Sequence, residues 1–137
     1  MTVKAKSKVY ETPPWGYEDQ PNFFNQVVSV KTYLEPLALL RHIKRLEIAL
    51  GRKATFKYGP RLIDIDVLFY DDVVLEEPSL VIPHPHLHER AFVLIPMMDI
   101  APDFIHPVKR KSIRELTVLC NTAGIIAHGK NSKEQRV

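Results

Sequence analysis

GPRLIDIDVLFY, residues 59–70, places two carboxylates inside a β-rich apolar run. Carboxylates are costly to bury on an apolar strand, and alternate residues of a strand share one face. The apolar residues that are expected to enter the core are Ile63, Ile65 and Val67. Asp64 and Asp66 then lie side by side on the other face, where their like charges repel unless a cation intervenes. Two interpretations are open for this pair alone: a solvated sheet face, or a site for Mg²⁺, which binds carboxylates together with substrate phosphates.

The segment before this strand, RKATFKYGPR at 52–61, is basic and aromatic. Arginine makes bidentate contacts to phosphate oxygens, and lysine adds a point charge. Next to a metal site, a mobile loop of this kind can close over substrate phosphates and neutralise developing charge. Taken alone, the same loop is better explained as a solvated basic surface.

Histidines occupy alternate positions in VIPHPHLHERAF, residues 81–92. A zinc site made by His84, His86 and His88 is one interpretation. Prolines interrupt the segment, however, and the acidic ligands nearby are oxygens, which suit harder cations than zinc. Contact of His84 and Arg90 with phosphate is therefore the favoured interpretation.

Aromatic side chains at two further places are candidates for binding a flat ring. Phe23, Phe24 and Phe92 are by residue type most often core residues, but Phe23 follows a polar, proline-rich loop and precedes Asn25. A flat heterocycle can stack between two such rings while an amide hydrogen-bonds to its edge.

The composition limits the class of protein. The chain has 137 residues, which suits a single domain over 1–137, and 45% of them are hydrophobic, enough for a core. Apolar runs stay well below the roughly 20 residues that span a bilayer, and no signal-peptide pattern is present, so a cytoplasmic protein is expected. A net charge of +3 permits an anionic ligand without requiring nucleic acid. The one cysteine, Cys120, excludes an internal disulfide.

Turn residues and apolar spacing predict an α+β sandwich, in which helices pack on a mainly antiparallel sheet. A helix is predicted from Pro36 to about Leu50, ending at Gly51. Ser112 and Glu115 predict a capping box on a last helix. The apolar stripe of the first helix is Leu39, Ile43, Leu46 and Leu50. The other predicted elements are strands at 8–12, 25–33 and 62–70, a turn at 71–72, strands near 73–75 and 79–83, helices over 86–99 (limited by Pro96) and 112–120, and a loose tail from about 128.

These features together resemble the 6-hydroxymethyl-7,8-dihydropterin pyrophosphokinases of folate synthesis. The resemblance covers most of residues 9–107 in the expected order, and GPRxxDxD followed by PHPxxxxRxF is a specific combination. The matching segments are VYETPPWGYEDQPNFFNQVV, RLEIALGR, YGPRLIDIDVLFYDD and VIPHPHLHERAFVLIPMMDIAP.

The resemblance implies a ferredoxin-like fold and transfer of the β,γ-pyrophosphoryl unit of ATP to the hydroxymethyl oxygen of the pterin, which releases AMP. It implies that Asp64 and Asp66 hold two Mg²⁺ ions along the triphosphate. The implied catalytic residues are Arg52, Arg61, Asp64 and Asp66. The implied ATP-binding residues are Lys44, Glu47, Tyr58, Arg61, His84 and Arg90. The implied pterin-binding residues are Thr12, Pro13, Trp15, Phe23, Asn25 and Phe92. For Lys44 and Glu47, an exposed i, i+3 ion pair is an equally good explanation.

The family normally begins with a strand that carries a Gly-Ser-Asn motif, followed by a long helix, and this sequence shows neither. The expected fold is therefore N-terminally incomplete, which would leave sheet edges unpaired. Three explanations are open: a truncated enzyme sequence, a degenerate remnant, or a sheet patched by residues 1–8 and a dimer partner. Truncation is favoured, and the protein is expected to be a monomer or such a dimer.

Three functions are compatible with these residues to different degrees. A pyrophosphokinase is the leading hypothesis, and a truncated, non-catalytic domain that still binds nucleotide or pterin differs from it only in turnover. A small basic RNA-binding sandwich would need exposed aromatics on adjacent strands, and it gives no reason for the paired aspartates. The expected partners are therefore small molecules, ATP and hydroxymethyldihydropterin, without nucleic acid or membrane.

Overall fold

The computed structural model describes residues 1–12, 23–54, 63–122 and 125–127, with the side chains of 52–54 and 126 outside this description. Its architecture is mixed α+β with short antiparallel strands, as predicted, and the tail from 128 lies outside the described residues. The strands are β1 (Thr2–Lys6), β2 (Tyr10–Thr12), β3 (Phe23–Asn25), β4 (Val28–Lys31), β5 (Leu75–Glu77), β6 (Leu80–Ile82) and β7 (Ile126–Ala127). The helices are α1 (Pro36–Ala54), α2 (Ala91–Ile100) and α3 (Ile113–Val118), with a 3₁₀ turn at Leu87–Glu89. The chain forms two compact units, a first unit of Met1–Thr32 with Pro85–Val137 and a second unit of Tyr33–His84.

The strands of the first unit pair in two antiparallel sheets. β1 pairs with β4, and β2 lies between β3 and β7. The strand predicted at 8–12 is confirmed as β2. The strand predicted over 25–33 is confirmed at its centre as β4, whereas its first residue, Asn25, is the last residue of β3. Ser7 holds this junction: its hydroxyl accepts from the amide of Val27 (3.0 Å), and its own amide donates to the carbonyl oxygen of Val27 (2.8 Å). These hydrogen bonds satisfy the backbone where the chain changes from one sheet to the other.

Helix α2 lies at the centre of the first unit, where it packs on β1, β2, β3 and α3. Its sequence, AFVLIPMMDI, is apolar on most sides, and Leu94, Pro96 and Met97 are buried. The helix predicted over 86–99 is confirmed for most of its length. Pro96 lies inside α2, which ends at Ile100, one residue after the predicted end. Proline removes one backbone donor from the helix, and burial of the surrounding apolar surface offsets that loss.

Helix α3 begins with the predicted capping box. The hydroxyl of Ser112 accepts from the amide of Glu115 (3.0 Å), and the carboxylate of Glu115 accepts from the amide of Ser112 (2.8 Å). These hydrogen bonds lower the pKa of the Glu115 carboxyl below its ordinary value. The helix ends at Val118 rather than at the predicted residue 120.

Helix α1 is the long helix of the second unit. It begins at Pro36 as predicted but continues through Gly51, so the predicted end at Gly51 is wrong. Glycine inside a helix costs only about 1 kcal/mol, which the hydrogen bonds of a further turn can offset. The apolar stripe is confirmed at Leu39 and Ile43, which are buried, and is wrong at Leu50, which is exposed. Among the described residues, no helix combines the length and apolarity needed to cross a bilayer.

Residues 63–70 form an irregular segment of the second unit. The strand predicted over 62–70 is wrong for this described part, because no ladder among the described residues includes it. A strand requires a neighbour that takes up its N–H and C=O groups, and an alternating pattern cannot supply that neighbour. Of the residues expected in the core, Ile63 is exposed and the half-buried ones are Ile65 and Val67.

The predicted turn at 71–72 follows this segment, and β5 then forms a hairpin with β6 rather than with residues 63–70. Asp71 adopts a left-handed conformation (φ 50°), and the amide of Val73 donates to the carbonyl oxygen of Tyr70 (2.9 Å). β5 and β6 pair antiparallel. The strand predicted at 79–83 is confirmed as β6, and the return strand begins at Leu75 rather than at residue 73.

The hydroxyl of Tyr10 joins β2 to α2. This buried side chain donates to both carboxylate oxygens of Asp99 (2.9 and 3.0 Å), and Asp99 also accepts from the amide of Lys8 (3.0 Å). Burial, and then the carboxylate of Asp99, raise the pKa of Tyr10 to about 12.

We expect Tyr10→Phe to lower the free energy of unfolding by about 2 kcal/mol, because the lost hydrogen bond is made to a charged group. Since folding raises the pKa, this stabilisation is complete below pH 10.0 and is lost as the pH rises from 10.0 to about 12. Urea denaturation across this range measures both effects. The control Tyr33→Phe, at a residue that is 92% exposed, should change neither, and an equal loss in both variants would contradict the role of Tyr10.

His106 is a buried histidine that organises a turn. Its Nδ1 atom accepts from the amides of Val108 (3.1 Å) and Lys109 (3.0 Å). Burial, and then the charges of His88 and Lys109, hold the pKa of His106 below its ordinary 6.5. Protonation of Nδ1 would remove the acceptor from this turn.

Because the pKa of His106 is lower in the folded than in the unfolded chain, we expect full stability above pH 6.5 and a loss as the pH falls below 6.5. His106→Asn keeps a hydrogen-bond acceptor without titrating, so it should flatten this dependence. Urea denaturation at a series of pH values measures the slope, with His42→Asn on α1 as a control that should keep it. An unchanged slope in His106→Asn would rule out this assignment.

Candidate functional site

The acidic pair Asp64 and Asp66 lies on the irregular segment 63–70 of the second unit. Both aspartates are exposed, whereas Ile65 between them is half-buried. The expected alternation is thus confirmed at these three residues even though they form no strand. Within the described part of the chain, no group of three His, Cys, Asp or Glu side chains is arranged to hold a metal ion. A carboxylate pair that leaves further positions to substrate oxygens fits Mg²⁺ better than zinc.

Glu47 of α1 is joined to the backbone of the acidic pair. One of its carboxylate oxygens, Oε2, accepts from the amide of Ile65 (2.5 Å), and the other, Oε1, lies 3.3 Å from Nζ of Lys44. The side chain of Glu47 is only 9% exposed, whereas that of Lys44 is 55% exposed. Lys44 and Glu47 thus form the i, i+3 ion pair of the alternative explanation, and Lys44 is its exposed member. Sequence reasoning missed the contact of Glu47 with the amide of Ile65, although Glu47 is the one acidic residue in the sequence of α1.

Two further hydrogen bonds hold the later part of segment 63–70. The amide of His84 donates to the carbonyl oxygen of Leu68 (2.9 Å), and the hydroxyl of Tyr70 donates to the carbonyl oxygen of Leu34 (2.6 Å). The first of them places His84, a predicted phosphate contact, beside the chain two residues after Asp66. The second joins the segment to the residues before α1. The second unit thus contains Lys44 and Glu47 on α1, Asp64 and Asp66 on segment 63–70, and His84, whose backbone is hydrogen-bonded to that segment.

The pairing of β2 with β3 sets the positions of three predicted pterin residues in the first unit. Thr12 is the partner of Phe23, and Tyr10 is the partner of Asn25. Residues that face each other across two strands, and residues two apart along a strand, share one face. Thr12, Phe23 and Asn25 therefore lie on one face of this sheet. Phe23 is 52% exposed there, while Thr12 is buried.

Arg90 and Phe92 mark the start of α2 in the same unit. Arg90 is the N-cap residue of this helix, and its guanidinium carbon lies 5.6 Å from the centre of the Phe92 ring. This distance is that of a cation–π contact. Because α2 packs on β2 and β3, Phe92 and Phe23 belong to elements in contact, and Phe92 is half-buried.

The remaining predicted site residues are only partly placed, or not placed, by the structure. Arg52 lies on the last turn of α1, so its assignment to a loop is wrong for the backbone, and its side chain is outside the described residues. The predicted site residues that lie wholly outside the described residues are Pro13, Trp15, Tyr58 and Arg61.

Comparison with known protein families gives one match for most of the chain. Residues 1–102 match the family model described as 7,8-dihydro-6-hydroxymethylpterin-pyrophosphokinase. This range includes every residue of the candidate site described above.

Curated relatives agree with this match. The 2-amino-4-hydroxy-6-hydroxymethyldihydropteridine pyrophosphokinase of Aquifex aeolicus is 46% identical over 115 residues, which cover 84% of this chain and 72% of that protein. The protein of the same name from Methylorubrum extorquens is 43% identical over 125 residues, covering 91% of this chain and 78% of the relative. The folic acid synthesis protein FOL1 of Dictyostelium discoideum is 46% identical over 105 residues, which cover 77% of this chain and 16% of that longer protein.

Proposed function

The chain belongs to the 7,8-dihydro-6-hydroxymethylpterin-pyrophosphokinase family, and we propose that its second unit carries most of the residues for magnesium and ATP, and its first unit those for the pterin. The reaction is transfer of pyrophosphate from ATP to 6-hydroxymethyl-7,8-dihydropterin in folate biosynthesis, which leaves AMP. The chain is thus an ATP-dependent transferase. The exposed carboxylate pair Asp64 and Asp66 is the observation that carries the proposed division.

In the second unit, Asp64 and Asp66 hold Mg²⁺, and the family resemblance implies two ions along the triphosphate. Bound Mg²⁺ neutralises and orients phosphate oxygens during an in-line displacement. His84 donates a hydrogen bond to phosphate, and Lys44 adds positive charge beside Glu47. The proposed residues of the basic segment are Arg52, Tyr58 and Arg61, of which the arginines contact phosphate.

In the first unit, Phe23 and Phe92 stack on the two sides of the pterin ring. Support comes from the packing of α2 on β3 and from the exposure of Phe23. Thr12 and Asn25, on the same sheet face as Phe23, hydrogen-bond to the edge of the ring. Pro13 and Trp15 complete this set, and Arg90, held against Phe92, contacts the nucleotide.

The chemistry of this reaction depends on position and charge more than on a strong base. The transferred group carries much of its charge on oxygens, so cations and correct alignment lower the barrier. Positive charge and alignment come from the proposed catalytic residues: the guanidinium groups of Arg52 and Arg61, and the metal-binding carboxylates of Asp64 and Asp66. We assign no general base among them.

The finer fold assignment is a ferredoxin-like sandwich. Antiparallel pairing in every described ladder and the packing of α2 on three strands support it. We still predict a monomer or a dimer that patches the sheet, and light scattering in solution measures this oligomeric state.

We expect wild-type protein to release AMP from ATP when the pterin alcohol and Mg²⁺ are present, and Asp66→Asn to lower this rate by about 100-fold or more, because a metal ligand is lost. Chromatographic measurement of AMP checks both. The control Asp72→Asn changes an exposed aspartate of the nearby turn and should keep the rate. No AMP from wild-type protein that still binds ATP would indicate the non-catalytic remnant, and full activity in Asp66→Asn would remove the metal role.

We expect Phe23→Ala to weaken pterin binding about tenfold, because one stacking partner is lost, while ATP binding is kept. Phe24→Ala is a matched control, since Phe24 is 56% exposed and lies on the opposite face of the same strand. Calorimetric titration with the pterin alcohol and, separately, with ATP measures these affinities. Equal losses of pterin affinity in both variants would contradict a specific role of Phe23.

A further inference from the structure

The peptide group between Asp64 and Ile65 is held by a side chain of another element. Oε2 of Glu47 accepts from the amide of Ile65 at 2.5 Å, which is a short hydrogen bond to a charged acceptor. A peptide unit is planar, so holding this N–H also fixes the carbonyl group of Asp64 and the directions of the chain on both sides. The two aspartates flank the amide that Glu47 holds.

The backbone of segment 63–70 is irregular, so another contact must orient the peptide group between Asp64 and Ile65. Segment 63–70 belongs to no ladder among the described residues, so strand pairing there does not set the directions of Asp64 and Asp66. Helix α1, by contrast, is a long regular element with Leu39 and Ile43 buried. A side chain projecting from a rigid helix is a suitable anchor for an irregular segment.

The surroundings of Glu47 indicate an anchor whose side chain is largely shielded from solvent. Its side chain is 9% exposed, and both carboxylate oxygens are engaged, one by the amide of Ile65 and the other by Nζ of Lys44. Burial of a carboxylate is unfavourable without such partners. Lys44, which is 55% exposed, supplies the balancing charge from the solvent side.

We propose that Glu47 is a positioning residue for magnesium, which aligns Asp64 and Asp66 through its hydrogen bond to the amide of Ile65 and does not itself bind metal or nucleotide. This inference rests on the proposed metal role of the two aspartates. Groups that orient metal ligands typically change metal affinity or activity by about 10- to 100-fold when removed. The essential property of Glu47 is then a hydrogen-bond acceptor at the right place, and its negative charge is secondary.

Two substitutions separate acceptor from charge. Glu47→Met keeps the approximate length and helix propensity but removes the acceptor, whereas Glu47→Gln keeps a carbonyl oxygen and removes the charge. The matched controls are Glu76→Met and Glu76→Gln, at an exposed glutamate of β5 in the same unit.

The probe is Mn²⁺, titrated into the protein at a fixed concentration of α,β-methylene-ATP and followed by electron paramagnetic resonance. We expect Glu47→Met to raise the apparent dissociation constant of protein-bound Mn²⁺ about tenfold, and Glu47→Gln to stay within about threefold of wild type. Both Glu76 variants should match wild type. Thermal melting followed by circular dichroism reports the folded fraction of each variant.

Equal losses in Glu47→Gln and Glu47→Met would overturn the inference, because charge and not the acceptor would then matter. Unchanged Mn²⁺ affinity in folded Glu47→Met would overturn it as well, because the contact would serve stability alone. If Glu47→Met does not fold, the Mn²⁺ affinity of Glu47→Gln is the test. An affinity close to that of wild type supports the proposal, and a loss of affinity contradicts it. Asp66→Asn tests the premise separately. If Asp66→Asn leaves Mn²⁺ affinity unchanged, the proposed metal site and this inference are both wrong. If Asp66→Asn loses Mn²⁺ affinity while folded Glu47→Met keeps it, only this inference is wrong.

Discussion

The carboxylates of Asp64 and Asp66 carry like charges one residue apart, and no regular strand among the described residues fixes their directions. Asp64 and Asp66 repel each other, and irregular backbone allows them to turn away from one another. The second unit restricts this freedom with hydrogen bonds to the amide of Ile65 and to the carbonyl oxygen of Leu68. The first is made by the carboxylate of Glu47 on α1 and the second by the backbone that follows β6. Both hydrogen bonds thus join the segment that carries the acidic pair to groups elsewhere in the second unit.

In the first unit, the sheet of β2 and β3 exposes the ring of Phe23 while other residues of the same sheet are buried. Pairing of Thr12 with Phe23 puts a small buried residue opposite a large exposed one. Helix α2 can be apolar on most sides because strands and α3 cover it, and Tyr10 joins it to β2 through Asp99. Hydrogen bonds and packing thus support the sheet that carries Phe23.

Local signals in the sequence predicted local structure well. Pro36 starts α1 and Ser112 with Glu115 caps α3, because each depends on groups within one turn of the chain. Predictions that needed a distant partner were less successful. The strand over 62–70 was wrong because strand formation depends on a neighbour, and the strand over 25–33 was too long because its first residue, Asn25, belongs to β3, which has a different partner from β4.

For the site, the sequence alone determined which residue types are present and in what order, and this was sufficient for the acidic pair, the aromatic candidates and the family. The two-residue spacing of Asp64 and Asp66 predicts that they share one side wherever the chain is extended. Only the tertiary structure decided that the side chain of Glu47 is 9% exposed and that its carboxylate accepts from the amide of Ile65. The reason is physical: a hydrogen bond between a helix and a segment 18 residues later depends on how the chain folds back, which no local pattern encodes.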